Sequence, residues 1–407
     1  MTNTVEKICS DIRERLEKIH TRELAGKELL LISDQYSGLW MEHVYDSVIY
    51  AKMDNSKLYL AKNAIELFID NQKPDGQYPF MVWLNGDKTV FGYSQIQEVV
   101  SFITLAYETA LMLDDEAFFR KIYSSGVQWV SWLENNRMIT KRGLIELFVG
   151  HDTGHDGSKR LFGLSCPGNY VLPDGSRANA SVLPPNENVA PMLAVDMNCH
   201  FYGDLCALSK IAHRLSMTES AKMWDEKAQN IKRELFERCL DKDDMFFYDV
   251  DKNNKKRKYR SCTIFHLFME GVLDAESDRD IIDALYERHI NNPDEFRTPY
   301  PFPSMAINDK GCEGHETFNC WGYYTQGLIV LRCTRWMDKY GYSEYFDHIC
   351  RKWVEAWTAC YDTFKMGQEI DPITGIPTAS SEWYSSCMLM YLYAAGRIKD
   401  RDNFKNK

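Results

Sequence analysis

YSQIQEVVSFITLAYETALML, Tyr93 to Leu113, and TESAKMWDEKAQNIKRELFERC, Thr218 to Cys239, are helical patterns of opposite kinds. The first is apolar on most of its faces, as a helix surrounded by protein must be. The second alternates charge with a single apolar stripe and so has a wet side. WGYYTQGLIVL, Trp321 to Leu331, repeats the buried kind. Helical segments fill most of the chain, and the sustained alternation that marks strands is scarce. The segments fall into couples joined by short turns: 38–53 with 56–72, 94–113 with 115–135, 190–215 with 217–238, 260–272 with 277–290, and 318–340 with 343–364. A helix over 4–20 and one over 382–397, stopped by Gly396, form a sixth couple from the two ends of the chain. Inner plus outer, six times, predicts an all-α (α/α)6 toroid, a six-hairpin barrel. An open solenoid would carry a repeat motif of fixed period, and the couples share none. Residues 1–407 read as one domain, with lid-like loops at about 140–190 and about 290–318 at the barrel mouth.

Composition narrows the function. A net charge of −11 with no basic block longer than Lys255-Lys256-Arg257 offers no track for a phosphate backbone, so no nucleic acid partner is expected. The amino-terminal stretch, with apolar Val5, Ile8, Ile12, Leu16 and Ile19 among charges, is an amphipathic helix and not a signal peptide; no other run could span a bilayer. A cytoplasmic protein without a membrane partner is expected. The twelve cysteines are scattered with no Cys-x-x-Cys pair, as reduced thiols packed in a core would be. Ten Trp and 23 Tyr exceed what a core alone calls for, and flat amphipathic rings suit sugar-binding clefts as well as cores and interfaces. Oligomeric state leaves no mark in the sequence.

The chemistry is concentrated in GHDTGHDGSKR, Gly150 to Arg160, inside the first long loop. Two His-Asp pairs among glycines could be a metal cage, an acid catalyst on a loop, or a hydrophilic turn. A cage needs further ligands at a recognisable spacing, which His200 and His315 do not supply, so neither a metal nor another cofactor is expected. An acid catalyst needs a distant second carboxylate, and MGQEIDPITGIP offers Glu369 between a glycine and an Asp-Pro turn. Glycosidic bonds are cleaved by such a pair, one carboxyl protonated and one ionised. A Gly-rich turn without chemistry stays an alternative at this point.

Gly154-x-Asp156-x-Ser158-x-Arg160 resembles the G-x-D-N-S-P-R loop of glycoside hydrolase family 63. Glu369-x-Asp371-Pro372-x-Thr374-Gly375 resembles a one-residue-shorter form of that family's E-x-Y-x-P-x-T-G segment. The resemblance extends to Trp40 and Asp46 in an early helix, to Gln72-Lys73-Pro74-Asp75-Gly76, and to Trp321-Gly322, over roughly residues 35–398. It implies an (α/α)6 barrel that hydrolyses α-linked sugars with inversion, related to trehalases and to mannosylglycerate and glucosylglycerate hydrolases. Asp156 would be the general acid and Glu369 the general base. Asp152 competes for the acid role, but Asp156 alone has the Ser and Arg at matching offsets. The chain departs from the family at Gly157, Lys159 and Asp371, and lacks the Arg of the Y-W-R-G stretch. Trp40, Trp321 and Trp383 are candidates to stack on sugar rings, Arg160 to donate to a hydroxyl, and Asp46 and Asp75 to bind substrate. Gln97, His315 and Glu316 are weaker polar candidates.

The expected substrate is a small carbohydrate, an α-linked disaccharide or a glycosylated small acid of α-glucoside or α-mannoside type. Two other readings remain: a carbohydrate-binding toroid without hydrolysis, and a sugar epimerase with paired histidines as acid and base, for which His200 and His315 would serve.

Overall fold

The computed structural model describes residues 2–165, 172, 176–312 and 321–405. The chain is mostly helical: α1 (Thr2–Arg15), α2 (Val44–Met53), α3 (Leu58–Asp70), α4 (Phe102–Leu113), α5 (Glu116–Arg137), α6 (Val195–Arg214), α7 (Thr218–Arg238), α8 (Ile264–Met269), α9 (Arg279–Leu285), α10 (Gly327–Arg332), α11 (Ser343–Cys360) and α12 (Ser385–Lys405). Among the described residues no helix is long and apolar enough to cross a membrane.

The inner and outer kinds separate as their patterns require. Helix α6 is buried on nearly every face, and α12 buries the run Cys387–Leu392. Helix α7 buries only the stripe Ala221, Trp224, Ala228, Ile231 and Leu235. The apolar helices touch in succession, α2 with α4, α4 with α6, and α6 with α8, while α12 touches both α10 and α2. Phe265 and Phe268 of α8 pack on Trp336, just beyond α10, with ring centroids 5.8 and 5.1 Å apart. Helices α3, α5, α7 and α11 lie against α2, α4, α6 and α12 respectively.

Several helices are shorter than their patterns predict, because backbone donors find other partners. The segment expected to be helical from 94 is irregular until Phe102. Asp152 accepts the Ile96 N–H through its carboxylate and the Glu98 N–H through its carbonyl, and the Asp204 carboxylate accepts the Ile103 N–H. Residues 192–193 form a strand ahead of α6. The 260–272 and 318–340 segments contribute only the short α8 and α10, with residues 318–320 outside the described set. Residues 38–40 form a strand beside the hairpin Met81–Asn85 and Lys88–Gly92. The stop expected at Gly396 does not occur. Arg397 pairs with Asp338 and Asp347, both at 2.6 Å, which ties the next turn to the fold and lets α12 run on to Lys405.

The space between α4, α6 and α8 holds three buried carboxyl groups, Glu98, Asp204 and Glu270. Burial first, and the neighbouring carboxyls next, push Glu98 well above the usual carboxyl range, and Asp204 and Glu270 are raised as well. Groups that are neutral in the fold stabilise it fully below their ordinary pKa, and that contribution is lost as pH rises through the raised folded values. Glu98→Gln keeps the shape and removes the titration. Its melting temperature is expected to match wild type most closely at pH 4, below the ordinary Glu value of 4.5, and to exceed it by a growing margin up to pH 8. A constant offset between the two proteins across that range would contradict the assignment.

Candidate active site

The loop from Gly150 to Arg160 is fixed at both ends, with Asp156 left between. At the first end, Asp152 is fully buried and accepts from Arg137 Nη1 at 2.6 Å and Nη2 at 3.2 Å. It also accepts the backbone N–H groups of Ile96, Phe148 and Val149 at 2.9–3.1 Å. Its lone pairs are occupied by the fold, which removes it as a rival acid. At the second end, Arg160 is 1% exposed and donates to Asp249 at 2.7 Å, to Thr153 at 3.1 Å and to Asp196. It orients the loop and is not placed as a free hydroxyl donor, contrary to the sequence expectation. Between these anchors Gly154 takes φ +69°, and a Cβ there would lie 2.9 Å from Val99 and 3.1 Å from Glu42 Oε2, so only glycine lets the loop seat.

Asp156 presents half of its side chain, 48%, to solvent, while its Oδ1 is enclosed without a hydrogen-bond partner; His151 Nε2 lies 3.5 Å away. Burial, and secondarily the charge of Glu42, push its carboxyl up to about 7. Because the exposed half faces water, a substrate that covers it strengthens the push. His155, next to it, is buried and stacks on Trp321 with centroids 4.2 Å apart and planes at 22°. Trp321 adopts φ +45°, a conformation that bulky residues hold only when their surroundings impose it.

Glu369 lies in a two-residue strand, Glu369–Ile370, paired antiparallel with Thr325–Gln326 just ahead of α10. The fully buried carboxylate accepts from Gln326 Nε2 and from Thr378 Oγ1 at 3.1 Å. Asp371, where the family has Tyr, closes the following turn by accepting the N–H groups of Ile373 and Thr374, each at 2.8 Å.

Glu42 and Arg332 were not singled out from the sequence. Arg332 Nη2 donates to Glu42 Oε1 at 2.8 Å, with both side chains buried, and Glu42 sits against Gly154. The pair connects the acid loop to α10, whose preceding strand carries the Gln326 that holds Glu369. An acid two residues after Trp40, in an otherwise apolar inner segment, is the signal that could have found it. Burial raises Glu42 to about 7 while the Arg332 guanidinium favours its ionised form.

The remaining candidates divide. Trp40 is half-buried, edge-on to Tyr36 at 5.2 Å, and shares its segment with Glu42. Asp46 is buried and accepts from Ser385 at 2.5 Å and Ser386 at 2.8–2.9 Å, so it clamps α2 to the start of α12. Trp383 lies under Arg15 of α1 at 4.1 Å and beside Tyr361, just past α11, at 6.1 Å. Asp75 is exposed and caps its own turn at Gln77 N, 3.1 Å away, while Gly76 approaches Gln128 of α5 too closely for any side chain. The contacts that the structure gives Trp383 and Asp75 are thus those of packing and of turn geometry. Gln97 is buried at φ +49° beside the loop; His315 and Glu316 lie outside the described residues. Among the described residues no three His, Cys, Asp or Glu side chains converge as metal ligands do.

Residues 53–320 match the family described as mannosylglycerate hydrolase MGH1-like glycoside hydrolase domain. No curated protein sequence matches the chain. Among solved structures, a family 63 mannosylglycerate hydrolase from Thermus thermophilus, in complex with glucose, superposes with a TM-score of 0.71 at 15% identity, covering 95% of this chain and all of that one. Neutral trehalase from Saccharomyces cerevisiae gives 0.68 at 12% identity, over 96% of this chain and 79% of its own. A rhamnose-bound rhamnosidase from Klebsiella oxytoca gives 0.58 at 12%, over 97% and 64%.

Proposed function

Since the chain belongs to the MGH1-like glycoside hydrolases and is a glycosidase, we propose that it inverts the anomeric centre of an α-linked disaccharide or small glycoside. Asp156 is the general acid and Glu369 the general base. The observation that carries this reading is the setting of Asp156: a half-open carboxyl on a rigid loop, raised to about 7 by burial and by Glu42. Such a group holds its proton near neutrality and can give it to the leaving glycosidic oxygen. Glu369, fixed by Gln326 and Thr378, takes a proton from the water that attacks the opposite face of the sugar. The C–O bond to the aglycone breaks as the C–O bond to water forms. Each proton has a named donor or acceptor, and inversion requires the two carboxyls roughly 6.5–9.5 Å apart.

The contacts of α12 with both α10 and α2 support a closed (α/α)6 ring forming a single domain, and Trp321 meets the acid loop through its stack on His155. Similarity to a mannosylglycerate hydrolase and a trehalase favours a small substrate of α-glucoside or α-mannoside type. The epimerase reading needs two histidines flanking a sugar-wide gap; of its two candidates, His200 is packed against His266 with ring centroids 4.6 Å apart, and His315 lies outside the described residues.

The test is hydrolysis of α-linked glucosides, galactosides and mannosides with the product followed in real time by NMR. The β-anomer is expected first. Release of the α-anomer, or inertness toward the whole panel, would overturn the proposal.

Glu42 gives a second expectation. A general acid works protonated, so activity falls as pH rises through the raised value of Asp156. Glu42→Gln removes the negative charge that helps raise it, and the basic limb of kcat/KM should move to lower pH while activity on the acid side is kept. A uniform loss at every pH, with the limb unmoved, would make Glu42 a packing residue only.

A further inference from the structure

A cavity of about 270 Å³ opens between the hairpin 81–92 and the segment 177–179, lined by Lys73, Phe80, Trp83, Tyr93, Arg177 and Asn179 among others. Its charges are unusual in a chain of net charge −11. Lys73 and Arg177 both lie on its wall, and among the described residues no carboxylate lines it and neither cation has an acidic partner within 4 Å. The Lys73 ammonium donates to a neutral amide, Gln77 Oε1, at 3.2 Å and rides 4.1 Å from the centre of the Tyr93 ring. Partial burial lowers its pKa, opposed in part by the charge of Asp75 two residues on. A half-dry ammonium and an unpaired guanidinium on one aromatic-lined cavity leave a place for a negative charge.

We infer that this cavity is a binding site for a single-ring anion, a sugar carboxylate or sugar phosphate, whose charge meets Lys73 and Arg177 and whose ring lies on the aromatic wall. The charge follows from the cations alone; the sugar ring rests on the glycosidase reading. The volume falls just under the roughly 300–1,000 Å³ of drug-sized sites, which admits one ring. The cavity also adjoins the acid loop by two routes. Ser94 on its wall precedes Gln95, whose amide reaches the His151 carbonyl, and Asn179 precedes Ala180, whose carbonyl accepts from the Arg137 that holds Asp152. The anion is therefore either the acidic part of the substrate or a separate ligand beside it.

Calorimetry with glucose 6-phosphate, glucuronate and glucose on the intact protein tests this without requiring turnover. The two anions are expected to bind at least about tenfold tighter than glucose, more weakly as salt is raised, and about tenfold more weakly in Lys73→Met and in Arg177→Met. Anions that bind no tighter than glucose, or equal affinity in wild type and both variants, would overturn the site while leaving hydrolysis as a separate question. With a glycoside carrying a carboxylated aglycone, a higher KM at constant kcat in the variants assigns the site to the substrate. A KM unchanged in the variants, with wild-type kcat altered by added anion, assigns it to a separate ligand.

Discussion

Asp156→Asn should lower kcat for an unactivated α-glycoside by about 10²–10⁴-fold, the range that a positioned acid or base supplies. The loss should shrink for a glycoside whose leaving group needs no proton, such as a nitrophenolate, because only protonation has been removed. Glu369→Gln should show a loss of similar size that does not recover with the better leaving group, since the attacking water has lost its base. This asymmetry distinguishes the two roles. Equal losses on both substrates in Asp156→Asn would remove Asp156 as the acid, and so would near-normal turnover on the unactivated substrate. Neither substitution should unfold the protein. Asn is close in shape to Asp, the Asp156 Oδ1 has no hydrogen bond to lose, and the amide introduced by Glu369→Gln keeps one oxygen for Gln326 Nε2 and turns its NH2 to Thr378 Oγ1, a hydroxyl that can accept as well as donate.

The largest stability effect should come from the other aspartate of the motif. Arg137 and Asp152 are both fully buried, and Arg137 also donates to the carbonyls of Ala180 and Glu146 at 2.8 and 3.0 Å. Arg137→Met leaves a buried carboxylate facing apolar surroundings, and removing one partner of such a pair costs about 3–5 kcal/mol. The expected result is a large fall in the midpoint of denaturant unfolding, together with lost activity as the loop loses its anchor. The double variant Arg137→Met with Asp152→Asn should recover part of that stability, because the stranded charge is gone. If the double variant is less stable than the single one, the charge was not the cause.

The helix couples were legible because buried and half-buried helices differ in hydrophobic pattern, and α6 against α7 shows that contrast fully. Helix starts were misread wherever a side chain competes for the backbone. Tyr93–Val100 has a helical pattern, but the Asp152 and Asp204 carboxylates that capture its donors and those of the following turn lie roughly 50 to 100 residues away in sequence. The order and spacing of the two carboxylate motifs could be read directly. The motif offsets favour Asp156 over Asp152, but what occupies Asp152 could not be read, since it depends on Arg137 arriving from the end of α5. Arg160, Asp75 and Trp383 show the converse limit: a residue can match a motif and be committed to its own turn or to an anchoring network. Glu42 and Arg332 have no motif, and only the proximity of α2 to the end of α10 brings them together.

The position of α12 also orders the events of synthesis. This helix packs on α1, α2, α10 and α11, and Asp11 of α1 meets Tyr361, just past α11, at 3.2 Å. Every one of those surfaces leaves the ribosome before the helix that covers them. A growing chain therefore carries the apolar faces of α2 and α10 unsheathed until α12 has emerged, a species open to aggregation and to chaperone capture. A chain cut ahead of Ser385 lacks the helix that covers these faces of α1, α2, α10 and α11.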